Sequence, residues 1–323
     1  MGENENTKAA ESFDLIIIGG GTAGLTAALY AARAGVSVLV LESGSIGGQI
    51  AVSPEVENYP GIPKISGAEL GMILKKQAES FGAIVRLESV KYVENVPEVE
   101  GDEACGRMLK RVATRRHLYT SKALILATGA ANRRLGVARE QELTGSGVSY
   151  CAVCDGAFFR GKDVAVVGGG NTALDDASYL ADICSKVYLI HRRDEFRGNP
   201  ETAEKLSAKP QVVMVMSSQV TELLGSPVLT GISVENRVTG EVRQIPVSAL
   251  FVAVGQQPQN EMFRSLVDLT PGGYIAAGED CMTRTPGVFA AGDCRDKKVR
   301  QLTTAASDGA VAALAAADYI RSF

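Results

Sequence analysis

Tryptophan is absent from this chain of 323 residues, and histidine occurs only twice. No run of about 18 apolar residues is present, so no membrane-spanning helix is predicted. Lysine and arginine total 33 against 37 acidic residues, and the net charge of −4 offers no basic surface for nucleic acid or anionic lipid. The N-terminal stretch MGENENTKAAESFD lacks the apolar core of a signal peptide. These absences predict a cytoplasmic protein that binds neither nucleic acid nor membranes.

Two segments of the chain share one order of apolar and glycine-rich stretches. In the first, FDLIII precedes GGGTAG, a helical stretch of small residues and a second apolar run, VSVLVLE. This order predicts a parallel strand–helix–strand unit with buried strands. DVAVVGGGNTALDDASYLADICSKVYLIHRR repeats the order further along the chain. We therefore expect an α/β fold with two Rossmann-like dinucleotide-binding domains.

The second of these domains is expected to interrupt the first. Residues 84–120 alternate apolar and polar positions, which predicts antiparallel strands, and KALILATGA then predicts another buried strand. Residues 211–250 again predict short strands, and the chain closes with GVFAAGD and an alanine-rich helix. The expected domains are a discontinuous one of residues 1–132 and 248–323 and an inserted one of residues 133–247.

The first glycine loop is GGGTAG, which has the pattern G-x-G-x-x-G between a strand and a helix. Glycine at these positions permits a tight turn and lets a pyrophosphate approach the backbone and the helix N-terminus. Glu42 ends the next strand, where a carboxylate can accept from ribose hydroxyls. A dinucleotide is favoured here over a tight turn without a ligand. The expected contacts are Gly19, Gly21, Thr22, Ala23, Gly24 and Glu42.

The second glycine loop differs at the end of its second strand, which is basic and not acidic. Guanidinium groups suit a phosphate better than a ribose diol, so this site is expected to prefer NADPH over NADH. A solvated basic turn is the alternative. FAD in the first site and NADPH in the second would allow hydride transfer from nicotinamide to flavin. The expected contacts are Gly168, Gly170, Asn171, Thr172, Ala173, His191, Arg192, Arg193 and Arg197.

Of the six cysteines, only Cys151 and Cys154 are close in sequence. A zinc site usually needs a second such pair, and the chain has none, so no metal site is expected. A structural bridge is unusual in a reducing compartment. A redox-active dithiol beside a flavin and NADPH is therefore favoured. Asp155 follows Cys154 directly and is expected to protonate a leaving thiolate, with a helix N-cap as the alternative.

An ordered set of motifs resembles the low-molecular-weight, bacterial-type thioredoxin reductases, class II members of the pyridine nucleotide-disulfide oxidoreductases. The matching stretches run from Asp14 to about Ile320 and are GGGTAG, GGQI, ENYPG, ATGA, CAVCDG, VVGGGNTA, HRRDEFR, FVAVG and GVFAAGD, with RQ shortly after. The resemblance implies a homodimer, FAD in the discontinuous domain and NADPH in the inserted one. It also implies electron flow from NADPH through FAD to the Cys151–Cys154 disulfide and then to thioredoxin.

The resemblance adds residue assignments that the spacing alone does not provide. Cys154 would be the thiol nearest the flavin, and Cys151 would exchange with the partner's disulfide. Two departures concern partner choice and the second site: Ala157 stands where relatives often have an aromatic residue, and Gly198 where alanine is frequent. The further flavin contacts that the resemblance implies are Gly47, Gly48, Gln49, Asn58, Ala130, Gly292, Asp293, Arg300, Gln301 and Leu302.

The dithiol and the nicotinamide must both reach one flavin, and a partner protein must reach the dithiol. A single rigid arrangement can hardly satisfy all three, so we expect a domain rotation with hinges near residues 129–136 and 245–256.

Several alternative activities would use the same flavin. They are reduction of a glutaredoxin-like, peroxiredoxin-linked or small disulfide, reduction by ferredoxin, and oxidation of dithiols by O₂. A nucleotide sensor without enzymatic activity is the remaining alternative.

Overall fold

A computed structural model describes residues 10–98 and 106–323. The helices are α1 (Thr22–Arg33), α2 (Gly67–Glu79), α3 (Ala152–Asp155), α4 (Asn171–Ala181), α5 (Pro200–Ser207) and α6 (Leu302–Arg321). The strands are β1 (Glu11–Ile18), β2 (Val38–Glu42), β3 (Ile84–Leu87), β4 (Val90–Pro97), β5 (Met108–Thr114), β6 (Leu118–Leu126), β7 (Ala130–Asn132), β8 (Val148–Ser149), β9 (Asp163–Gly168), β10 (Lys186–Ile190), β11 (Val212–Val215), β12 (Ser218–Leu224), β13 (Gly231–Asn236), β14 (Val242–Pro246), β15 (Ala249–Ala253), β16 (Gln256–Pro258) and β17 (Val288–Ala290).

The chain forms two compact units. One contains the described residues up to Ala131 together with Gln257–Phe323, and the other is Asn132–Gln256. The two segments that connect them contain β7 and β16, which pair with each other. None of the helices in residues 10–98 and 106–323 has both the length and the hydropathy needed to cross a bilayer.

The discontinuous unit is built on a sheet in the order β3-β2-β1-β6-β5-β4, and β17 also pairs with β6. The strands β3, β2, β1, β6 and β17 run parallel, whereas β4, β5 and β6 form the antiparallel part. Ile84–Leu87 was expected in that antiparallel part, but it extends the parallel edge beside β2. One core cluster lies between the sheet and the helices α1 and α6, where small side chains such as Ala27 and Ala312 are fully buried. Gly309 allows this close packing, because a Cβ there would lie 2.2 Å from the carbonyl oxygen of Ala23.

The second unit contains a parallel sheet in the order β11-β10-β9-β15-β8 and a separate antiparallel sheet of β12, β13 and β14. The expected inserted domain ends at residue 247, whereas this unit continues to Gln256. The reason is that β15 pairs in parallel with β9 and β8 and is fully buried in their sheet. An apolar strand such as ALFVA has the same local pattern whichever sheet it joins.

Candidate redox and nucleotide sites

The cysteine pair lies at the short helix α3, between β8 and β9. Cys151 and Cys154 form a disulfide, and Cys151 occupies the N-cap position of the single-turn helix α3. The backbone N–H of Cys154 donates to Cys151 Sγ at 3.2 Å. Cys154 is exposed and Cys151 is half-buried. A disulfide at the surface is open to exchange with another thiol or disulfide, as redox-active pairs require.

Asp155 is held by a serine that precedes the cysteines. Ser149 Oγ donates to Asp155 Oδ2 at 2.6 Å and accepts from the Cys151 N–H at 3.1 Å. Burial raises the pKa of Asp155, and the Ser149 hydrogen bond lowers it in part. Asp155 occupies the N-cap position of the 3-10 turn Gly156–Phe159, but its side chain forms no capping hydrogen bond there. The carboxyl group therefore keeps its proton to a higher pH than an exposed aspartate, as a proton donor near neutral pH must.

A buried carboxylate fixes the strand that leads into the dithiol. Glu140 is 3% exposed and accepts from the backbone N–H groups of Leu135 and Gly136, each at 2.9 Å. Tyr150, which directly precedes Cys151, donates its hydroxyl to Glu140 Oε1 at 2.8 Å. Burial raises the pKa of Tyr150 to about 12. Glu140 thus ties the residue before the dithiol to the start of this unit.

In the discontinuous unit, the three glycines of the G-x-G-x-x-G pattern in the first loop have different roles. A Cβ on Gly19 would lie 2.2 Å from the Ala127 carbonyl oxygen, and one on Gly24 would lie 1.9 Å from the Gly19 carbonyl oxygen. A Cβ on Gly21 would meet no clash, since its nearest neighbour, the carbonyl oxygen of Gly47, would be 3.8 Å away. No side chain in the described residues caps α1 at Gly21, so its first N–H groups are free to bind an anion.

Glu42 anchors this loop at the end of β2. Its Oε2 accepts from the Gly20 N–H at 2.6 Å, and its Oε1 accepts from the Gly44 N–H at 2.7 Å. Each carboxylate oxygen can accept a second hydrogen bond, which leaves capacity for ribose hydroxyls. The predicted ribose contact is therefore compatible with the backbone role that the structure adds.

Other predicted flavin contacts lie around the start of α1. Gly48 packs on the loop, since a Cβ there would lie 3.2 Å from Gly21 Cα, and Gly292 would place a Cβ 2.8 Å from Ala23 Cβ. The next residue, Asp293, has a buried Oδ1 without a hydrogen-bond partner in the described part of the chain, and burial raises its pKa. An unpartnered buried acceptor of this kind fits a ligand that carries hydroxyl groups.

The remaining contacts predicted from the resemblance are more dispersed. Arg300 lies over the Tyr274 ring at 4.4 Å, and its buried Nε has no partner among residues 10–98 and 106–323. Gln301 caps α6 through a capping box, and Leu302 begins that helix. Gln49 and Asn58 are exposed, and no described hydrogen bond joins either to the glycine loop. Gly47 precedes a 3-10 turn, and Ala130 is buried in β7.

In the second unit, the second glycine loop repeats this arrangement. A Cβ on Gly168 would lie 2.3 Å from the Ala253 carbonyl oxygen, whereas Gly170 has no atom within 4 Å of the same position. No side chain among the described residues caps α4 at Gly170. The basic segment folds back onto the loop, because the N–H groups of Arg197 and Gly198 both donate to the Gly169 carbonyl. Gly198 is required there, since a Cβ would lie 2.9 Å from the backbone nitrogen of Asn171.

His191 is part of the packing of this loop. Its side chain lies directly over Gly169, where a Cβ would be 2.0 Å from His191 Cε1, and it stacks on Phe196 at 5.4 Å between centroids. Burial lowers the pKa of His191, so the ring is neutral near pH 7. The ring therefore packs on the loop, and its buried Nε2 has no hydrogen-bond partner among the described residues.

The arginines that follow are placed differently. Arg192, Arg193 and Arg197 are exposed, and none of them forms an ion pair within the described residues. Their charges lie close enough to His191 to contribute to its lowered pKa. Guanidinium groups without carboxylate partners, next to an uncapped helix N-terminus, form a suitable site for phosphate.

Comparisons with known proteins agree with this geometry. The family model described as pyridine nucleotide-disulphide oxidoreductase matches residues 13–309. The chain belongs to this family. A thioredoxin reductase of Mycolicibacterium smegmatis is 43% identical over 303 residues, covering 93% of this chain and 94% of its own. One of Listeria monocytogenes is 40% identical over 309 residues, covering 95% of this chain and 94% of its own. The structure of a thioredoxin reductase from Streptococcus pyogenes, 40% identical, superposes with a TM-score of 0.90 over 98% of this chain and 100% of that one.

Family membership confirms several predictions. The resemblance to low-molecular-weight thioredoxin reductases, the two-domain Rossmann-type α/β fold and the oxidoreductase class are all confirmed. The family also implies the use of a flavin and a pyridine nucleotide. The individual site residues and their roles stay predictions.

Two residues near the dithiol were missed from the sequence, Ser149 and Glu140. Ser149 is adjacent to the motif, but a serine two residues before a cysteine carries no known signal of its own. Glu140 lies in a polar stretch, AREQEL, whose pattern is typical of a solvated surface. Only the folded chain shows that its carboxylate is buried with three donors.

Proposed function

We propose that this enzyme uses NADPH and FAD to reduce the Cys151–Cys154 disulfide, and that the resulting dithiol reduces thioredoxin. The observation that carries the proposal is the disulfide with its protonatable neighbour Asp155, on the same unit as a glycine loop flanked by unpaired arginines. The relatives named thioredoxin reductase support the choice of substrate. Electrons from NADPH would thus leave the enzyme on the dithiol of reduced thioredoxin.

Each cofactor is assigned to one unit. When bound, the flavin would supply the conversion of a hydride from nicotinamide into a two-electron reduction of the disulfide. The uncrowded Gly21, the uncapped α1 and the unpartnered Asp293 support FAD in the discontinuous unit. The open Gly170, the uncapped α4 and the arginines support NADPH in the second unit. The proposed contacts are those predicted above for each loop.

The residues of the dithiol turn account for the exchange chemistry. Reduction breaks the S–S bond and adds two electrons, which gives two thiolates. Asp155 can protonate one of them, so that one thiol and one thiolate result. Following the family resemblance, the Cys151 thiolate attacks the partner's disulfide, forms a mixed disulfide and releases one partner thiolate. Cys154 then attacks the mixed disulfide, which restores the Cys151–Cys154 bond and releases the partner as a dithiol. Two electrons and two protons reach the partner in each turnover.

We include the domain rotation in the proposal. Gly129, Gly136 and Gly255 lie in the connecting segments with positive φ values of 67°, 81° and 106°. A Cβ on Gly129 or Gly136 would meet no atom within 4 Å, so neither glycine is locked by close packing. Such residues can absorb a change in backbone angle. A cross-link that fixed the two units yet left full turnover would contradict the rotation.

A homodimer in the cytoplasm completes the proposal. Exposed apolar side chains on α2 and the neighbouring edge strand β3, including Ile73, Ile84 and Leu87, support association of two copies. The purified protein sedimenting as a monomer at micromolar concentration would contradict the dimer.

The free thiols Cys184, Cys281 and Cys294 are buried and support a reducing compartment.

The deciding experiment follows NADPH consumption by the flavin-loaded enzyme with oxidised thioredoxin from its own organism. The proposal expects turnover with thioredoxin and its loss in Cys151→Ser and Cys154→Ser. Glutaredoxin, small disulfides and reduced ferredoxin are tested in parallel, together with oxygen consumption by a dithiol in the absence of NADPH. Turnover with one of those alternatives and none with thioredoxin would overturn the assigned substrate.

A further inference from the structure

We propose that Arg237 is a further specificity-determining residue for the 2′-phosphate of NADPH. This inference rests on the proposed NADPH site. Arg237 lies outside every motif of the sequence, in the turn between β13 and β14, and reaches the basic segment only through the fold.

A single residue brings the two segments together. The backbone N–H of Ser217 donates to the Arg193 carbonyl at 2.9 Å, and the Ser217 carbonyl accepts from the Arg237 N–H at 2.7 Å. Ser217 has φ of 49°, a left-handed conformation that directs these two groups to different partners. The β12–β13 register continues this link, because Ser218 pairs with Asn236. The backbone at Arg237 is therefore fixed beside the end of β10.

The side chain of Arg237 also turns toward the basic segment. Its Nη1 donates to the Arg192 carbonyl at 3.5 Å, so the guanidinium lies at the backbone of the first arginine. Arg237 is exposed and forms no ion pair among the described residues. The acids of the segment, Asp194 and Glu195, likewise form no described ion pair with these arginines. Like charges held this close without a carboxylate partner favour binding of an anion.

The chemistry of the anion follows from the position. The end of the second strand of a dinucleotide-binding unit is where the adenosine ribose lies, and a 2′-phosphate carries up to two negative charges there. Arginine forks bind such a group bidentately and with charge-assisted hydrogen bonds. Arg237 would therefore contact the 2′-phosphate and contribute nothing to a nucleotide that lacks it.

The test measures binding of 2′,5′-ADP and 5′-AMP to the flavin-loaded enzyme by calorimetry, without turnover. Arg237→Gln should weaken 2′,5′-ADP about tenfold, the loss expected for one charge-assisted contact, and leave 5′-AMP unchanged. The matched control is Arg243→Gln on β14, an exposed arginine of the same antiparallel sheet, which should change neither affinity. The melting temperature of both variants should match that of the wild type.

Two different failures can be told apart. Unchanged 2′,5′-ADP affinity in Arg237→Gln, or an equal loss for both nucleotides, would overturn the role of Arg237 while leaving the NADPH site intact. Wild-type enzyme that binds 2′,5′-ADP no more tightly than 5′-AMP would instead overturn the NADPH preference, and this inference with it.

Discussion

The two glycine loops differ in the side chain that packs against the central glycine of each GGG stretch. Glu42 is the last residue of β2, and His191 directly follows β10, the second strand of its unit. Glu42 covers Gly20, and His191 covers Gly169. Glu42 accepts from the Gly20 N–H, whereas the His191 ring lies on Gly169 and stacks on Phe196. This position is therefore structural in both units. In the first unit the same side chain is also proposed to contact a ribose, whereas in the second the proposed nucleotide contacts are mainly Arg192 and its neighbours.

A second difference lies where the helix meets the loop. The first loop has Gly24, and a Cβ there would collide with the Gly19 carbonyl oxygen at 1.9 Å. The second loop has Ala173, whose Cβ is fully buried and lies 2.7 Å from where a Cβ on Gly168 would be. The helix of the second unit thus stands far enough from its loop to admit a methyl group. Variants can exchange these features and show which differences matter.

The largest effect is expected when the second loop loses its basic strand end. In the double variant Arg192→Gln/Arg193→Gln, two charge-assisted contacts are removed, and we expect about 100-fold weaker NADPH binding with little change for NADH. The measurement is the Kd of each nucleotide by fluorescence titration. The double variant Lys205→Gln/Arg243→Gln removes equal charge elsewhere on this unit and should bind both normally. An equal loss of NADPH and NADH would refute the phosphate role.

An intermediate effect is expected from exchanging the helix-start residues. Gly24→Ala forces the Cβ against backbone that cannot rotate away, so we expect about 1–3 kcal/mol lower stability and loss of bound flavin. Ala173→Gly, its counterpart, should cost about 1 kcal/mol through helix propensity and leave flavin content unchanged. Urea unfolding and the flavin-to-protein ratio measure both. If Gly24→Ala kept its flavin and its stability, the tight contact with Gly19 would be wrong.

The sequence predicted the parts of this molecule that depend on local pattern. The strand–helix–strand units, both glycine loops and the dithiol follow from residues close together in the chain. The end of the second unit did not, because β15 is apolar and only its pairing with β9 decides its sheet. Arg237 and Glu140 depend on hydrogen bonds to distant backbone, and no local signal marks such contacts. Ser149 lay beside a recognised motif, and only its 2.6 Å contact with Asp155 shows its role.

The smallest effect concerns the dithiol turn, which the second unit has and the first lacks. Ser149→Ala removes the hydrogen bond that lowers the pKa of Asp155, so burial would raise that pKa further. The protonated acid is lost as pH rises through its pKa, so the alkaline decline in turnover should move to higher pH, with less than a tenfold change at neutral pH. Ser149→Thr keeps a hydroxyl and should restore the wild-type profile, whereas Asp155→Asn should abolish the pH-dependent decline. A profile unmoved by Ser149→Ala, measured with thioredoxin at saturating NADPH, would show that Ser149 does not tune the acid.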